Sequence, residues 1–237
     1  MSAGPPKVAG PAVVFLDGVY EDAAYYRAWA EAAALVVAAD GGARFLIAAG
    51  VRPDVVVGDF DSLPSAAAAR LADDGVELVR HPVRKDVTDG ELAVEEALRR
   101  GAGELVLAGA LGALDHTFGH LAILRRLAAR GVAARLAAPH LTVRVLVAPA
   151  ETALDAAAGT RVSVAPLGDD AVLTLRGFDY PLTRGVLPGD ACLGLGNSVD
   201  AGGAAGIVVH EGVVAVLVAS GDEAFGGTCR VSDSGER

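Results

Sequence analysis

Three short apolar runs in this sequence are each followed by carboxylates. The runs end at residues 39, 57 and 108, and the acids that follow them are Asp40, Asp59, Asp61 and Asp115. If the runs are parallel strands of one sheet, their carboxyl ends meet at one edge and the acids converge there. Clustered carboxylates repel one another unless a cation neutralises them, and Mg²⁺ prefers one or two carboxylates with water and phosphate oxygens.

Each of these acids, taken alone, also has a structural explanation, because aspartate after a strand forms turns and caps helices. Their joint occurrence at three strand ends is what predicts a metal site. Gly41 and Gly42, directly after Asp40, are consistent with a ligand lying close to the backbone. His116 differs from the other histidines only in standing beside Asp115.

A second acidic group precedes the fourth helical pattern of the chain. Thr88 and Glu91 have the spacing of a capping box, which explains both residues without any function. Lys85 has no such explanation, and it is one of only two lysines among 20 basic residues. A helix N-terminus favours anions, whereas Asp86 and Asp89 oppose a naked phosphate there. A magnesium–phosphate complex, bridged by these acids and by Lys85, satisfies both tendencies.

Several common catalytic motifs are missing. No Gly-x-Gly-x-x-Gly follows a strand pattern, and no Gly-x-x-x-x-Gly-Lys-Ser/Thr occurs, so the sequence has neither a dinucleotide fingerprint nor a Walker A loop. Gly-x-Ser-x-Gly and His-Glu-x-x-His are missing too, which argues against a serine hydrolase elbow and a zinc protease.

The elements that must position the acids alternate through the first 140 residues. Valine-rich runs at 12–16, 35–39, 54–57, 76–79, 104–108 and 133–137 predict strands buried on both faces. Alanine-rich segments near 22–33, 42–49, 64–73, 89–100 and 117–130 predict helices. Repeated βα units with short connections predict an α/β fold, with a Rossmann-like parallel sheet and flanking helices over 1–140.

The pattern changes after residue 140. Short apolar runs separated by glycine, proline and aspartate predict strands at 142–147, 161–165, 171–175, 207–210 and 213–218. Gly212 stands between the last two and predicts a tight hairpin. The segment 141–220 is therefore predicted to be a smaller all-β sandwich domain, and 221–237, which lacks periodicity, to be a flexible tail.

Composition limits the partners. The chain has 20 Lys+Arg against 30 Asp+Glu, a formal net charge of −10, which opposes binding to bare nucleic acid or to an anionic membrane. The N-terminus lacks the pattern of a signal peptide, and the apolar stretches fall short of the ~18 residues of a membrane span. Cys192 and Cys229 match no metal or redox spacing. These features predict a soluble cytoplasmic protein.

The sequence resembles the thiamine pyrophosphokinase family in four segments, which occur in the family's order and spacing. They are Asp40-Gly41-Gly42-Ala43-Arg44, Pro53-Asp54 followed by Gly58-Asp59-Phe60-Asp61-Ser62, Lys85-Asp86-Val87-Thr88-Asp89, and Asp115-His116. The resemblance is strong over 35–120 and weaker beyond, where the segments 177–182 and 193–197 are still similar. It implies an α/β nucleotide-binding domain, a β-sandwich and a homodimer that binds thiamine between its subunits.

The reaction that the resemblance implies is Mg²⁺-dependent transfer of the diphosphate of ATP to the hydroxyl of thiamine, giving thiamine diphosphate and AMP. The metal ligands would be Asp59, Asp61 and Asp86. Lys85 would stabilise phosphate charge, and Asp89 or Asp61 would orient or deprotonate the hydroxyl. The nucleotide would contact Asp40, Gly41, Gly42, Thr88, Asp115 and His116. Asn197 is the candidate residue for contact with the acceptor, thiamine.

Three departures from the family pattern keep two alternatives open. The segment Gly112-Ala113-Leu114-Asp115-His116 lacks the family's arginine, His120 stands at an asparagine position, and Gly196 replaces a serine. The first alternative is a diphosphokinase for another hydroxymethyl acceptor. The second is a non-catalytic nucleotide- or thiamine-binding sensor.

Overall fold

The computed structural model describes residues 9–61, 63–82 and 86–220. Within these residues, helices and strands form a mixed α/β fold with one ten-stranded and one four-stranded sheet. The predicted α/β class is therefore confirmed. Lys7, Ser62, Lys85, Cys229 and the predicted tail lie outside the described residues. In the part of the chain that the structure describes, no helix is long and apolar enough to cross a membrane.

Six of the ten strands of the large sheet are parallel to one another. They are β1 (Ala12–Phe15), β2 (Leu35–Ala39), β3 (Val55–Gly58), β4 (Glu77–Arg80), β5 (Glu104–Ala108) and β6 (Ala133–Ala138). Their spatial order is β4-β3-β2-β1-β5-β6, so the chain builds outward from β1 in one direction and then returns to its other side. The order reverses between β1 and β5, which is where ligands bind in open parallel sheets.

Five helices accompany these strands in the described residues: α1 (Ala23–Ala32), α2 (Gly42–Ala48), α3 (Ser65–Asp73), α4 (Asp89–Arg99) and α5 (Leu114–Ala129). Apolar residues of α1, α2 and α3 form one buried cluster with the sheet, and those of α4 and α5 form another on the opposite face. Strand side chains alternate between the two clusters because successive residues point to opposite faces. Both faces are covered, which explains the continuous apolar runs.

Helix α5 begins three residues before its predicted start. The backbone is extended at Ala113 and turns helical at Leu114, so Asp115 and His116 lie in the first turn of the helix. Among the residues that the structure describes, no side chain caps this terminus. The sequence pattern did not show this start because Asp115 and His116 interrupt the apolar periodicity.

The large sheet continues beyond residue 140. Strand β7 (Leu141–Val147) pairs antiparallel with β6 and is followed in space by β14 (Val213–Ala219), β9 (Arg161–Pro166) and β12 (Asn197–Ser198). The small sheet has the order β11 (Leu182–Leu187), β10 (Ala171–Arg176), β13 (Ala205–Glu211) and β8 (Ala150–Leu154). A third buried cluster contains residues of both sheets, including Val164, Leu173, Ile207 and Val216.

The predicted hairpin at Gly212 is wrong. Strand β13 pairs with β10 and β8, whereas β14 pairs with β7 and β9, so the two strands lie in different sheets. Gly212 has φ +85°, and a Cβ there would lie 2.8 Å from the Asp170 carbonyl oxygen. The glycine therefore lets the chain pass from one sheet to the other, and both strands bury apolar side chains in the shared cluster.

Helix α4 is fixed to the sheet edge by a buried carboxylate. Glu96 is 8% exposed and accepts hydrogen bonds from Arg99 Nε at 2.8 Å and Arg100 Nε at 2.6 Å. Arg100 also pairs with Glu77 of β4 at 2.7 Å. The hydrogen bond from Arg99, helped by Arg100, lowers the pKa of Glu96 against the opposing effect of burial.

We predict that Glu96→Gln lowers the free energy of unfolding by about 1 kcal/mol at pH 7, since it removes charge-assisted bonds, one of them to a largely exposed arginine. The folded-state pKa of Glu96 is lowered, so its contribution is present above the unfolded pKa of about 4.3 and is lost as pH falls through the folded value. Urea denaturation at pH 7 and near pH 3 checks this, with Glu31→Gln on α1 as control. An equal difference at both pH values would contradict it.

Candidate active site

Three carboxylates converge where β2 and β3 end. Asp40, Asp59 and Asp61 each offer an oxygen, and these oxygens all lie within 4.8 Å of one another. The Asp40 amide donates to the Val57 carbonyl at 2.9 Å, which carries the pairing of β2 and β3 up to the acids. A Cβ at Gly58 would lie 2.8 Å from Asp40 Cβ, so only glycine leaves room for Asp40 here. Of the four acids predicted to converge, these three form one cluster, and Asp115 lies outside it but lines the adjoining cavity.

The turn that carries Asp59 and Asp61 is held in an unusual backbone conformation. Phe60 has φ +65°, which is costly for a bulky residue, and its ring is buried. The Arg80 guanidinium lies 4.7 Å from the centroid of that ring and donates to the Asp59 carbonyl at 2.9 Å. The Asp61 amide donates to Asp59 Oδ1 at 3.1 Å. Arg80 and the buried ring therefore hold the two carboxylates toward Asp40.

A cavity of about 670 Å³ opens beside these acids. This volume is within the range of about 300–1,000 Å³ that is usual for small-molecule sites. The cavity is lined by the predicted site residues Asp40, Gly41, Asp59, Asp61, Thr88, Asp89, Asp115 and His116. Most of the predicted site is therefore brought together around one space.

Three predicted residues with described positions lie elsewhere. Asp86 is exposed and does not line the cavity. Gly42 is buried behind it, where a Cβ would collide with the Phe15 carbonyl, so this glycine allows α2 to pack closely on β1. Asn197 begins β12, and its amide bonds the backbone of Tyr180, accepting from the nitrogen at 3.1 Å and donating to the oxygen at 2.9 Å.

The N-terminus of α4 forms one wall of the cavity, and the predicted capping box is present there. Thr88 Oγ1 accepts from the Glu91 amide at 3.2 Å, and Glu91 Oε2 accepts from the Thr88 amide at 3.1 Å. Arg126 of α5 donates to Glu91 Oε1 at 2.8 Å. Burial would raise the pKa of Glu91, but the bonds from Arg126 and Thr88 outweigh it and lower that pKa. Glu91 therefore stays ionised and joins α4 to α5.

Asp17 lines the cavity although the sequence analysis did not select it. It follows the end of β1, so the rule that selected the other strand-end acids would have found it too. Arg44 of α2 donates to Asp17 Oδ1 at 2.8 Å, which places a guanidinium near the cavity. A Cβ at Gly41 would collide with the Asp17 carboxylate, so Gly41 is needed for this approach.

His120 is a second cavity residue whose position the sequence analysis did not foresee. It is buried on α5, and its Nδ1 lies 2.7 Å from the Ala110 carbonyl oxygen. Burial lowers the pKa of His120, and the neighbouring His116 lowers it further, against the effect of the Ala110 bond. His116 itself is exposed.

The acidic group suits Mg²⁺. All three side chains offer carboxylate oxygens, the hard donors that Mg²⁺ selects, and their mutual repulsion falls when a divalent cation binds between them. Asp40 is 5% exposed, so its charge is poorly screened by water and gains most from a cation. An acidic group beside a cavity at the carboxyl ends of parallel strands is an arrangement that can hold a metal–phosphate ligand.

Comparison with known proteins points to one family. A family model described as the catalytic domain of thiamin pyrophosphokinase matches residues 26–136. A thiamine pyrophosphokinase of Bacillus subtilis is 29% identical over 153 residues, which is 63% of this chain and 71% of the relative.

Solved structures agree with this match. A crystal structure of thiamine pyrophosphokinase from Bacillus subtilis superposes with a TM-score of 0.76 at 23% identity, covering 90% of this chain and 100% of the other. A thiamin pyrophosphokinase structure from Geobacillus thermodenitrificans gives 0.74 at 25% identity, covering 90% and 99%. The fold and the acid-lined cavity define a mixed α/β protein with a candidate metal–phosphate site. Over residues 26–136 the chain is similar to the catalytic domain of the thiamine pyrophosphokinase family.

We predict that Arg80→Ala weakens Mn²⁺ binding by about tenfold, because the strained turn loses a hydrogen bond and a cation–π contact. Simple electrostatics predicts the opposite sign, since removing a positive charge near a cation site should tighten binding. Titration of Mn²⁺, followed by electron paramagnetic resonance of the free ion, separates the two. Arg27→Ala on α1 is the control, and tighter or unchanged binding in Arg80→Ala would refute the positioning role.

Proposed function

We propose that this protein is a thiamine pyrophosphokinase that transfers the diphosphate of ATP to the hydroxyl of thiamine, releasing AMP. The observation that carries the proposal is the convergence of Asp40, Asp59 and Asp61 at one cavity, on the segment that matches the family's catalytic domain. The cavity also has the volume for a small-molecule substrate.

The acids would hold the metal, which supplies charge neutralisation for the diphosphate when it is bound. Asp59 and Asp61 are the proposed ligands, and the buried Asp40 is a third donor within the same 4.8 Å. The role of Asp86 stays a prediction, and Lys85 lies outside the described residues. Diphosphate transfer needs positioned reactants and opposed charge more than covalent chemistry, so a fixed carboxylate group is what the fold must provide.

Asp89 and Asp115 line the same cavity from the first turns of α4 and α5. Asp89 is the proposed residue that orients or deprotonates the acceptor hydroxyl, with Asp61 as the alternative. Asp115 accepts from the His116 amide at 2.9 Å, and both residues are proposed nucleotide contacts. Thr88 and Gly41 complete the proposed nucleotide site.

The finer architecture is also a proposal. We treat 1–140 as a Rossmann-like nucleotide-binding part and 141–220 as a β-sandwich part that helps to bind the acceptor. The proposed location of the protein is the cytoplasm. Asn197 is the proposed acceptor contact in the second part. Because its amide already bonds the Tyr180 backbone, its effect would include the order of that loop.

We predict that Asp59→Ala and Asp61→Ala each lower the rate of thiamine diphosphate formation by roughly 100-fold or more, since each removes a metal ligand worth several kcal/mol. Purified protein is mixed with ATP, Mg²⁺ and thiamine, and AMP and thiamine diphosphate are measured by mass spectrometry. Asp73→Ala, on the exposed end of α3, is the matched control. Near-normal turnover in both variants would rule out this metal site.

The same assay separates the alternatives. AMP formed only with other alcohols would favour a diphosphokinase for a different hydroxymethyl acceptor, the possibility raised by Ala113 and His120. Binding of ATP or thiamine without AMP formation would favour a sensor. Either result would overturn the proposed reaction.

We predict that the protein sediments as a dimer at micromolar concentration. Two sets of exposed apolar side chains support this, one at the start of α5 with Leu114 and Phe118, and one in the β region with Tyr180, Leu193 and Leu195. Sedimentation velocity checks the prediction, and a particle of one chain would contradict it.

A further inference from the structure

His120 has one ring nitrogen committed to the protein. Its side chain is 9% exposed, and Nδ1 lies 2.7 Å from the Ala110 carbonyl oxygen, which can only accept. Nδ1 must therefore carry the proton of this bond. In the neutral ring that leaves Nε2 with a lone pair and no hydrogen, so Nε2 is an acceptor.

The accepting nitrogen borders the cavity. A Cβ at Gly90 would lie 3.0 Å from Leu16 Cδ2, 3.8 Å from Thr88 Oγ1 and 4.0 Å from His120 Nε2, so Nε2 faces the start of α4 across a narrow space. Among the described residues, no protein group makes a hydrogen bond to Nε2. The ring is largely buried, but Nε2 keeps some exposure and is open to a donor in the cavity.

Several residues that line the cavity with His120 are small or apolar, and Thr88 Oγ1 is a polar atom beside Gly90. Leu16 and Ile123 are almost fully buried and line the same cavity, together with Gly90, Gly119 and Ala122. Such walls suit a flat heteroaromatic ring better than a hydroxylated sugar, which needs several polar partners. The carboxylate cluster, by contrast, follows β2 and β3.

The separation along the sheet supports a division of the cavity into two ends. Helix α5, which carries His120, follows β5, and β5 lies three strand positions from β3 in the order β3-β2-β1-β5. At about 4.8 Å per strand this is roughly 14 Å across the strand ends. These strand ends are far enough apart for a nucleotide whose diphosphate lies at the acids to extend toward α5.

We propose that His120 Nε2 accepts a hydrogen bond from the exocyclic amino group of adenine and so selects ATP over nucleotides that lack this donor. This inference rests on the proposed function, because it takes ATP as the bound nucleotide. Burial lowers the pKa of the ring, which keeps His120 neutral and accepting at pH 7. His120 thus determines specificity through the base and takes no part in the diphosphate chemistry.

Two substitutions test the roles of the two ring nitrogens separately. In His120→Asn the amide nitrogen can take the place of Nδ1 and keep the bond to Ala110, while the accepting atom in the cavity is lost. In His120→Gln the amide reaches the place of Nε2 and can accept there. His140→Asn, at the exposed turn after β6, is the matched control.

The experiment measures dissociation constants of ATP, inosine triphosphate and 2′-deoxy-ATP with Mg²⁺ and without thiamine, beside the rate of AMP release with thiamine. We expect the native protein to prefer ATP over inosine triphosphate. His120→Asn should weaken ATP by roughly 2- to 10-fold, the worth of one hydrogen bond, and leave inosine triphosphate unchanged. His120→Gln should restore part of the preference, and His140→Asn should behave like the native protein.

Each contrary result overturns the inference. Equal binding of ATP and inosine triphosphate by the native protein, or an unchanged preference in His120→Asn, removes the amino group as the donor. If His120→Asn weakens the binding of ATP but not of 2′-deoxy-ATP, the donor is the ribose hydroxyl. If His120→Asn raises only the KM for thiamine, the donor belongs to the acceptor. Native protein that forms AMP while His120→Asn keeps its preference refutes this inference alone, whereas native protein that forms no AMP refutes the proposed function.

Discussion

The mutual repulsion of three carboxylates is the constraint on which the rest of this structure depends. Two unit charges about 4 Å apart repel by about 4 kcal/mol at an effective dielectric constant near 20, and the net stability of a domain is only about 5–15 kcal/mol. Asp40, Asp59 and Asp61 are held this close by backbone pairing between β2 and β3 and by a strained turn. A divalent cation bound between the carboxylates would convert this repulsion into attraction.

That constraint also explains why small and cationic residues surround the acids. Gly58 gives Asp40 its room, and Gly41 does the same for Asp17. Arg80 donates a hydrogen bond to the Asp59 carbonyl, and Arg44 donates one to the Asp17 carboxylate. Each arginine therefore contributes a hydrogen bond as well as a positive charge. The negative charge of these carboxylates is thus accommodated locally, by close packing of the backbone and by arginines that bond nearby groups.

The acids and the parallel strands could be predicted because both depend on local pattern. A run buried on both faces is continuously apolar, and its end is visible in the sequence where Asp40 or Asp59 begins. The strands β8 and β11 escaped detection because exposed and partly buried residues dominate them, which weakens the apolar signal.

Long-range pairing explains the remaining differences between expectation and structure. The hairpin at Gly212 was expected because adjacent strands usually pair with each other, and only the two-sheet arrangement shows that each strand has other partners. The tautomer of His120 depends on Ala110, ten residues away, and on burial. Asn197 is similar, since its bonds to Tyr180 depend on a contact seventeen residues distant.

The unbroken large sheet makes the two parts of the chain inseparable. Only Pro139 and His140 stand between β6 and β7, and Leu136, Ala137 and Ala138 are in register with Val143, Thr142 and Leu141. A cut at this point would expose two edge strands with unpaired backbone groups. The region that carries Asp40, Asp59 and Asp61 and the region beyond residue 140 therefore cannot be exchanged as modules, and they cannot rotate as rigid bodies about a linker. Any movement around the cavity must come from the loops at the strand ends.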